Sequence, residues 1–504
     1  MAVWHDGPFD NDTVSYTNNN ARLRQSLTLQ QPSGVWTQSY AYDAAKRLTN
    51  TTSSAGGYAY TYQGAGKLVK KLSLPNKSYI TNVYDNVARL TGTYLTHSNG
   101  TVLNKHEYLY NAGNQRIRHT RTDNSYVTNT YDNIGQLKTA VGSGGQSTEN
   151  LGYNYDAAWN LNQRTNSGSP YTFSVDSKNQ LTSDPSYTDG YDDNGNLTTR
   201  SNGTYLAYTY SYDDENQLKS VAYGDGSQPT TAWWRLDFVY DGRDRLRRRL
   251  QYSWNSSGTN VGWVLSQELQ YIYDGNLVIQ DRVSGFAPTA SYARGVDMSG
   301  TLEGAGGIGG LLERATGYPS WNTHYYYQAD GNGNITALED GSQNLITGYR
   351  YDPFGNTLYA PAVGPGSANP FRFSSKQLFY QTGLYYYGYR FYDPNLQRWL
   401  NRDPMEEQGF ETLRGAGSSR SSEEDIEHAT VNEYLFVNNM VGNFVDIDGR
   451  TWWKPWTWKK PKKPKWAPPW HLTPTCTISP SGPPDWLDPE HKLRVIGGGF
   501  SIKF

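Results

Sequence analysis

Excess charge of either sign is missing from this 504-residue chain. Its 45 Lys and Arg stand against 47 Asp and Glu, a net charge of −2, so no global field argues for nucleic acid or an anionic membrane as a partner. Apolar residues are also scarce, at 36%, and mean hydropathy is −0.77. No apolar run approaches the roughly 18 residues that a membrane-crossing helix needs. The opening MAVWHDGPFDND has neither a basic n-region nor an apolar h-region. That excludes a Sec-type signal and predicts either another export route or a chain that begins inside a longer one. A single cysteine, Cys476, excludes an intrachain disulfide framework. The eight histidines are scattered without zinc-ligand spacing, and no metal or cofactor is implied.

Two motifs match binding signatures only formally. GAGGIG (Gly304 to Gly309) fits G-x-G-x-x-G, but MSGTLE before it is no strand and GLLERATGYPS after it is no helix, as a dinucleotide site requires. It reads as a glycine turn, flexible or tightly packed. Asp330, Asn332 and Asn334 alternate as in a calcium loop, yet the bidentate Glu of a twelve-residue loop is absent, so a hairpin turn fits better. Asn-x-Ser/Thr sites, as at Asn196 and Asn202, are what chance gives in a chain so rich in these residues.

What the chain does have is 42 Tyr, 16 Trp and 51 Gly among abundant Asn, Ser and Thr. With charged residues at only 18%, this is not the composition of a disordered chain. Tyr, Trp and Thr favour strands, and Gly, Asn and Asp favour tight turns. An internal repeat organises them: YDAAKRL at Tyr42, YDNVARL at Tyr84, YDNIGQL at Tyr131, YDAAWNL at Tyr155, YDDNGNL at Tyr191, YDDENQL at Tyr212, YDGRDRL at Tyr240 and the shortened YDGNL at Tyr273. Weaker copies start at Tyr62, Tyr110 and Val175. In each unit an alternating strand ends in Tyr, Asp makes the turn, and Leu opens the next strand with its side chain back on the buried face. Asp bonds the backbone two residues on, and Asn or Gly tolerates positive φ. A lone hairpin is marginal, so the units must pair edge to edge into one sheet. The expectation is an all-β chain with little helix and every Tyr-Asp at a hairpin turn. An ordinary β-sandwich is the alternative.

These units resemble the YD repeats of the Rhs and teneurin-like class. From Tyr351 the likeness becomes specific: YDPFGN (Tyr351 to Asn356), GLYYYGYRFYDPNLQRWLNRDP (Gly383 to Pro404) and NEYLFVNNMVGNFVDIDG (Asn432 to Gly449) are similar, in order, to the Rhs repeat-associated core domain. The resemblance covers about 40–450 and extends to the C-like shells of insecticidal toxin complexes. It implies a long antiparallel hairpin sheet that spirals into a hollow shell, closed at one end by an inward-curling core domain, with a variable C-terminal segment carried inside. The implied organisation is 1–40, first strands of a truncated shell; 41–280, YD repeats; 281–350, further shell strands with the glycine-rich turn; 351–449, the core domain with a polar insertion at about 408–430; and 450–504, a variable tail. A shell of this length predicts an open end near 1–40 with association-prone strand edges, and hence an upstream segment or a partner chain. In YYYGYRFYDP, alternation puts Tyr385, Tyr387, Tyr389 and Phe391 on one face and Tyr386, Arg390 and Tyr392 on the other, a strand covered on both sides.

The resemblance also implies chemistry. Core domains with paired D-P-x-G motifs cut themselves just after the second copy, in the manner of an aspartyl protease. Two close carboxylates share a proton, one activating water and the other polarising the scissile carbonyl. Here the copies are Asp403-Pro404-Met405-Glu406 and Asp446-Ile447-Asp448-Gly449. The candidate pair is Asp403 and Asp446, with Arg402 and Asp448 in support and Arg450–Thr451 as the bond. The first copy lacks its Gly, the second its Pro, and the acidic insertion doubles the usual gap. Asp403 and Asp446 as plain turn formers is the other reading.

The tail turns abruptly to TWWKPWTWKKPKKPKWAPPW, with six Trp, six Lys and five Pro in twenty residues. Such proline density favours an extended chain. Lys beside Trp could meet nucleobases or a membrane interface, and a basic linker is the simpler reading. The function expected is a shell that encapsulates its own C-terminal segment and presents or delivers it, secreted or at the cell surface, to a target-cell surface. A non-catalytic adhesion or carbohydrate-binding scaffold is the alternative.

Overall fold

The computed structural model describes residues 3–5, 7–144, 147–203, 206–224, 230–257, 261–404, 432–450 and 452–453. Every Tyr-Asp unit closes a strand and opens the next. Val35–Tyr42 ends on the Tyr and Leu48–Ser53 begins on the Leu. The same holds for Tyr84 and Leu90, Tyr131 and Leu137, Tyr155 and Leu161, Tyr191 and Leu197, Tyr212 and Leu218, and Tyr240 and Leu246. No α-helix occurs among the described residues, only short 3-10 turns.

The hydrogen bonds explain the consensus position by position. In the unit at Tyr84, Asp85 Oδ1 accepts the backbone N–H of Val87 at 3.0 Å and of Arg89 at 2.9 Å. Positive φ falls on the third residue after the Asp. Gly135 (+95°) and Asn179 (+61°) suit it, but Lys46, Ala88 and Trp159 hold it as well. The Asn, Gln or Arg before the Leu reaches sideways to the following turn. Asn160 Nδ2 donates to Asn179 Oδ1 at 2.9 Å, Asn196 Nδ2 to Asn216 Oδ1 at 2.8 Å, and Gln217 Nε2 to Asp244 Oδ1 at 2.8 Å. The Tyr hydroxyl ties off the hairpin's open end, where the first strand starts beside the end of the second. Tyr110 donates to Leu90 O at 2.7 Å, Tyr155 to Leu137 O at 2.9 Å and Tyr240 to Leu218 O at 2.7 Å. Phe would fill the same space and leave that carbonyl without its donor. Tyr240→Phe should therefore lower stability by about 1 kcal/mol, read as a shifted urea midpoint.

The strands form two large antiparallel meanders in which each strand pairs with the next. Sixteen run from Val3–His5 to Ser169–Thr172, and fifteen from Ser174–Val175 to Leu345–Gly348. The chain changes sheet at Phe173, a buried residue whose N–H still reaches back to Asn162 O at 2.9 Å. Val3–His5 is an edge strand, with only Val14–Asn18 beside it among the described residues. The inner faces of the two sheets touch. Leu27, Leu29 and Trp36 pack with Ile272, Ala293 and Leu312. Tyr58 donates to Glu313 Oε2 at 2.9 Å, and Ser78 to Glu339 Oε1 at 2.5 Å.

The core domain fills the rest of the interior. The tyrosine-rich run is covered on both sides, but it is not one strand. It breaks at Gly388 (φ +113°) into Leu384–Tyr386 and Phe391–Asp393, which pair within a four-stranded sheet. Tyr386 and Phe391 join a cluster with Phe238 and Leu246 of the second sheet. Tyr385, Tyr387 and Tyr392 join Trp399 and Phe436 against Leu137, Tyr153 and Leu161 of the first. The domain thus plugs both sheets at once.

Candidate self-processing site

The site is built where three segments of the core domain meet. The turn after Gly388 points Arg390 inward, where it is 3% exposed. Its guanidinium lies over the Trp399 ring, 4.3 Å from the centroid. Arg390 Nη2 bonds Asp403 Oδ2 at 2.6 Å, Nη1 donates to Glu433 O at 3.0 Å, and Nε donates to Gly449 O. One buried cation therefore ties the RDP segment, the NEY segment and the DIDG turn together. Asp403 and Glu433 flank residues 405–431, which carry the expected polar insertion and lie outside the described residues.

Asp446 is buried, and its Oδ1 accepts the N–H of Asp448 at 3.1 Å and of Gly449 at 2.6 Å. Burial pushes its carboxyl up to about 6. The charges of Asp448 and Asp403 act in the same direction, while Arg390 and the Gly449 N–H oppose them. Asp403 bonds the Arg390 guanidinium, and the charges of Arg390 and Asp403 both act on the Asp446 carboxyl. Residues 432–446 do not run as a strand beside the tyrosine run. Three consecutive positive φ values at Val437, Asn438 and Asn439 turn that segment, which keeps only an Arg398–Leu435 bridge before Val445–Asp446 pairs with Trp452–Trp453. Arg450 sits in the intervening hairpin turn. Its guanidinium is over the Tyr389 ring, 3.2 Å from the centroid, and 3.2 Å from Asp448 Oδ2. Thr451, the other half of the candidate bond, lies outside the described residues, as does the tail from 454. Arg402 Nε lies 3.3 Å from Glu433 Oε2.

Two participants carry no sequence signal. One is Arg390. The other is Lys376, whose Nζ donates to Ile447 O at 2.5 Å and to Gly306 O at 3.3 Å. Burial lowers its amine to about 8, against the pull of Asp448 and Asp446. The glycine turn is a tightly packed one: a Cβ on Gly306 would lie 2.2 Å from Ile447 O. Beside the turn opens a cleft of about 410 Å³ lined by Lys376, Tyr389, Glu303 and Asp448. Clefts of this size hold small molecules rather than folded domains.

No protein-family model matches the chain. It is 28% identical over 282 residues to the tRNA3(Ser)-specific nuclease WapA of Bacillus spizizenii, covering 56% of this chain and 10% of that protein. It is 37% identical over 86 residues to toxin subunit YenC1 of Yersinia entomophaga, covering 16% of this chain and 9% of that one. Its fold matches a structure of the Photorhabdus luminescens Tc holotoxin pore with a TM-score of 0.65 at 21% identity, over 88% of this chain and 21% of the other. The chain therefore spans about a tenth of the length of the curated relatives it matches.

Proposed function

We propose that this chain, an Rhs-type YD-repeat shell protein, forms the closed end of a toxin-delivery shell and releases the segment after Arg450 by cutting itself there. The observation that carries the reading is the Arg390 fork, which holds Asp403 and the carbonyl of Gly449 on one buried cation beside Asp446. In the proposed reaction Asp403 takes a proton from water, whose oxygen bonds the Arg450 carbonyl carbon. Asp446 gives its proton to the carbonyl oxygen. The C–N bond then breaks as Asp403 gives its proton to the Thr451 nitrogen and a gem-diol hydroxyl returns one to Asp446, leaving a carboxyl on Arg450 and an amine on Thr451.

Because the inner faces of the two sheets already touch, enclosing a cargo calls for further shell strands, from an upstream segment or a partner chain. The cargo would be the chain's own C-terminal segment, and export would place the shell outside the cell or on its surface. Contact of the tail with nucleic acid or membrane belongs to that cargo.

Intact-mass measurement of the purified full chain tests this, with a product ending at Arg450 expected. Asp446 must be protonated to act, so the processing rate should fall about tenfold per pH unit above about 6. Rapid processing at pH 5.5 and slow processing at pH 8 is the expected pair of results. A second reading, a non-catalytic surface scaffold, is favoured by the way Asp446 accepts two backbone N–H groups, as turn-forming aspartates do. An uncut chain at every pH would support it.

A further inference from the structure

Away from the processing site, a pair of histidines sits where three parts of the fold meet. His106 lies on Val102–Tyr110 and His119 on Arg116–Arg121, neighbouring strands of the first sheet. His106 Nδ1 and His119 Nε2 are 2.8 Å apart. The other nitrogen of His106, Nε2, is 2.8 Å from the Thr336 hydroxyl on Ile335–Asp340 of the second sheet. His106 is buried and His119 half-buried, its ring stacked on Tyr108 at 5.0 Å. A cavity of about 110 Å³ adjoins the pair, lined also by Arg350 and Asp352 and, from the C-terminal part of the core domain, by Val441.

We propose that this pair is an acid-sensitive latch: neutral imidazoles fasten the first sheet to the second, and protonation in an acidified compartment parts them at this junction.

The hydrogen-bond inventory carries the argument. Two neutral imidazoles make this contact with one N–H and one lone pair; two protonated ones would point N–H at N–H. A single added proton keeps the bond but places its charge among cations. On the same sheet these are Arg116, bonded to Asn332 Oδ1 at 2.8 Å, and Arg121, paired with Glu149 at 2.9 Å. From the segment after the second sheet comes Arg350, 3.2 Å from Asp123 and 3.7 Å from Glu149. Asp330, on the second sheet's turn, is the acid that favours the charged form of His106, and Asp352 lines the cavity.

Burial first, then Arg121 and Arg116, holds His106 down to about 4, and burial with His106, Arg121, Arg116 and Arg350 pushes His119 well below its ordinary range. An unfolded histidine titrates near ~6.5. The unfolded chain therefore binds more protons between that pH and the folded values, so stability is full above ~6.5 and is lost as pH falls. The strongly raised carboxyls act the other way. Asp189 at about 7, Asp281 at about 6 and Asp446 at about 6 gain as pH falls through the same window. This inference stands whether or not the chain cuts itself.

The test is thermal unfolding of the full chain between pH 7.5 and 4.5, beside His106→Gln/His119→Gln. The wild type should lose, relative to the variant, roughly tenfold in its folding equilibrium per histidine per pH unit below ~6.5. Parallel pH profiles for the two proteins would overturn the latch. Should the double variant fail to fold, NMR of histidine-labelled wild type decides. Two imidazoles that stay neutral to below pH 5 and titrate only as the fold opens support it. All imidazoles titrating near ~6.5 with the fold intact overturn it.

Discussion

The Asp446→Asn variant should remain uncut after Arg450 under conditions in which the parent chain is processed to completion. Asn keeps an oxygen where Asp446 Oδ1 accepts the N–H groups of Asp448 and Gly449, so the turn survives. It cannot supply the proton that a carboxyl held up at about 6 supplies at mildly acid pH. Loss of a positioned proton donor costs ~10²–10⁴ in rate, enough to turn processing in minutes into none over a day. Removing a buried carboxyl whose ionisation is disfavoured should leave stability level or slightly raised. Asp403→Asn should also stop processing, but with some loss of stability, because Arg390 then faces a neutral partner in place of its carboxylate. Mass measurement of both variants decides: a product ending at Arg450 in either, formed at the parent's rate, would falsify the pairing and return both aspartates to a turn-forming role.

Arg390→Leu should be the most destabilising substitution in the core domain. It removes the bonds that Arg390 makes to the Asp403 carboxylate and to the carbonyls of Glu433 and Gly449. Removing one partner of a buried ion pair costs ~3–5 kcal/mol. The loss should be local, since the repeat sheets hold their own hydrogen bonds and clusters. Hydrogen exchange should rise sharply across 432–450 and stay low in strands such as Leu90–Thr96. Arg390→Lys keeps a charge but not three fixed donors, and should recover only part of the protection. A double-mutant cycle with Asp403→Asn should show strong coupling between the two side chains. Unchanged exchange at 432–450 in Arg390→Leu would remove Arg390 from its proposed place as the organiser of the site.

The shell strands were legible because a repeated motif states the same local physics many times. Tyr, Asp and Leu each have one job per unit, and the turn and strand each sets are decided by near neighbours. The candidate processing site was legible only as far as its two proposed aspartates, which sit in turn motifs. Arg390 lies inside an aromatic run, and its three partners are 13, 43 and 59 positions away. Lys376 stands in the unremarkable SSKQLFY, and only tertiary packing brings it to Gly306 and Ile447. The alternation rule failed at Gly388 because a period of two assumes a continuous strand, and a glycine at +113° ends one. Residues 432–446 form no strand beside the tyrosine run for a related reason: Val437 and two asparagines adopt left-handed backbone in succession, which propensity does not foretell for Val.

The sideways bonds between successive Tyr-Asp turns, such as Asn160 to Asn179 and Asn196 to Asn216, join each unit only to its neighbour. None of these bonds depends on how many units precede it. A gene duplication or deletion that respects the unit's ends would therefore widen or narrow the sheet by two strands, about 10 Å, with these sideways bonds re-formed, most readily in units that do not touch the plug. Lineages could retune the girth of such a scaffold in whole steps, by recombination alone, while the parts that must stay unique, the plug and its aspartates, drift at their own pace.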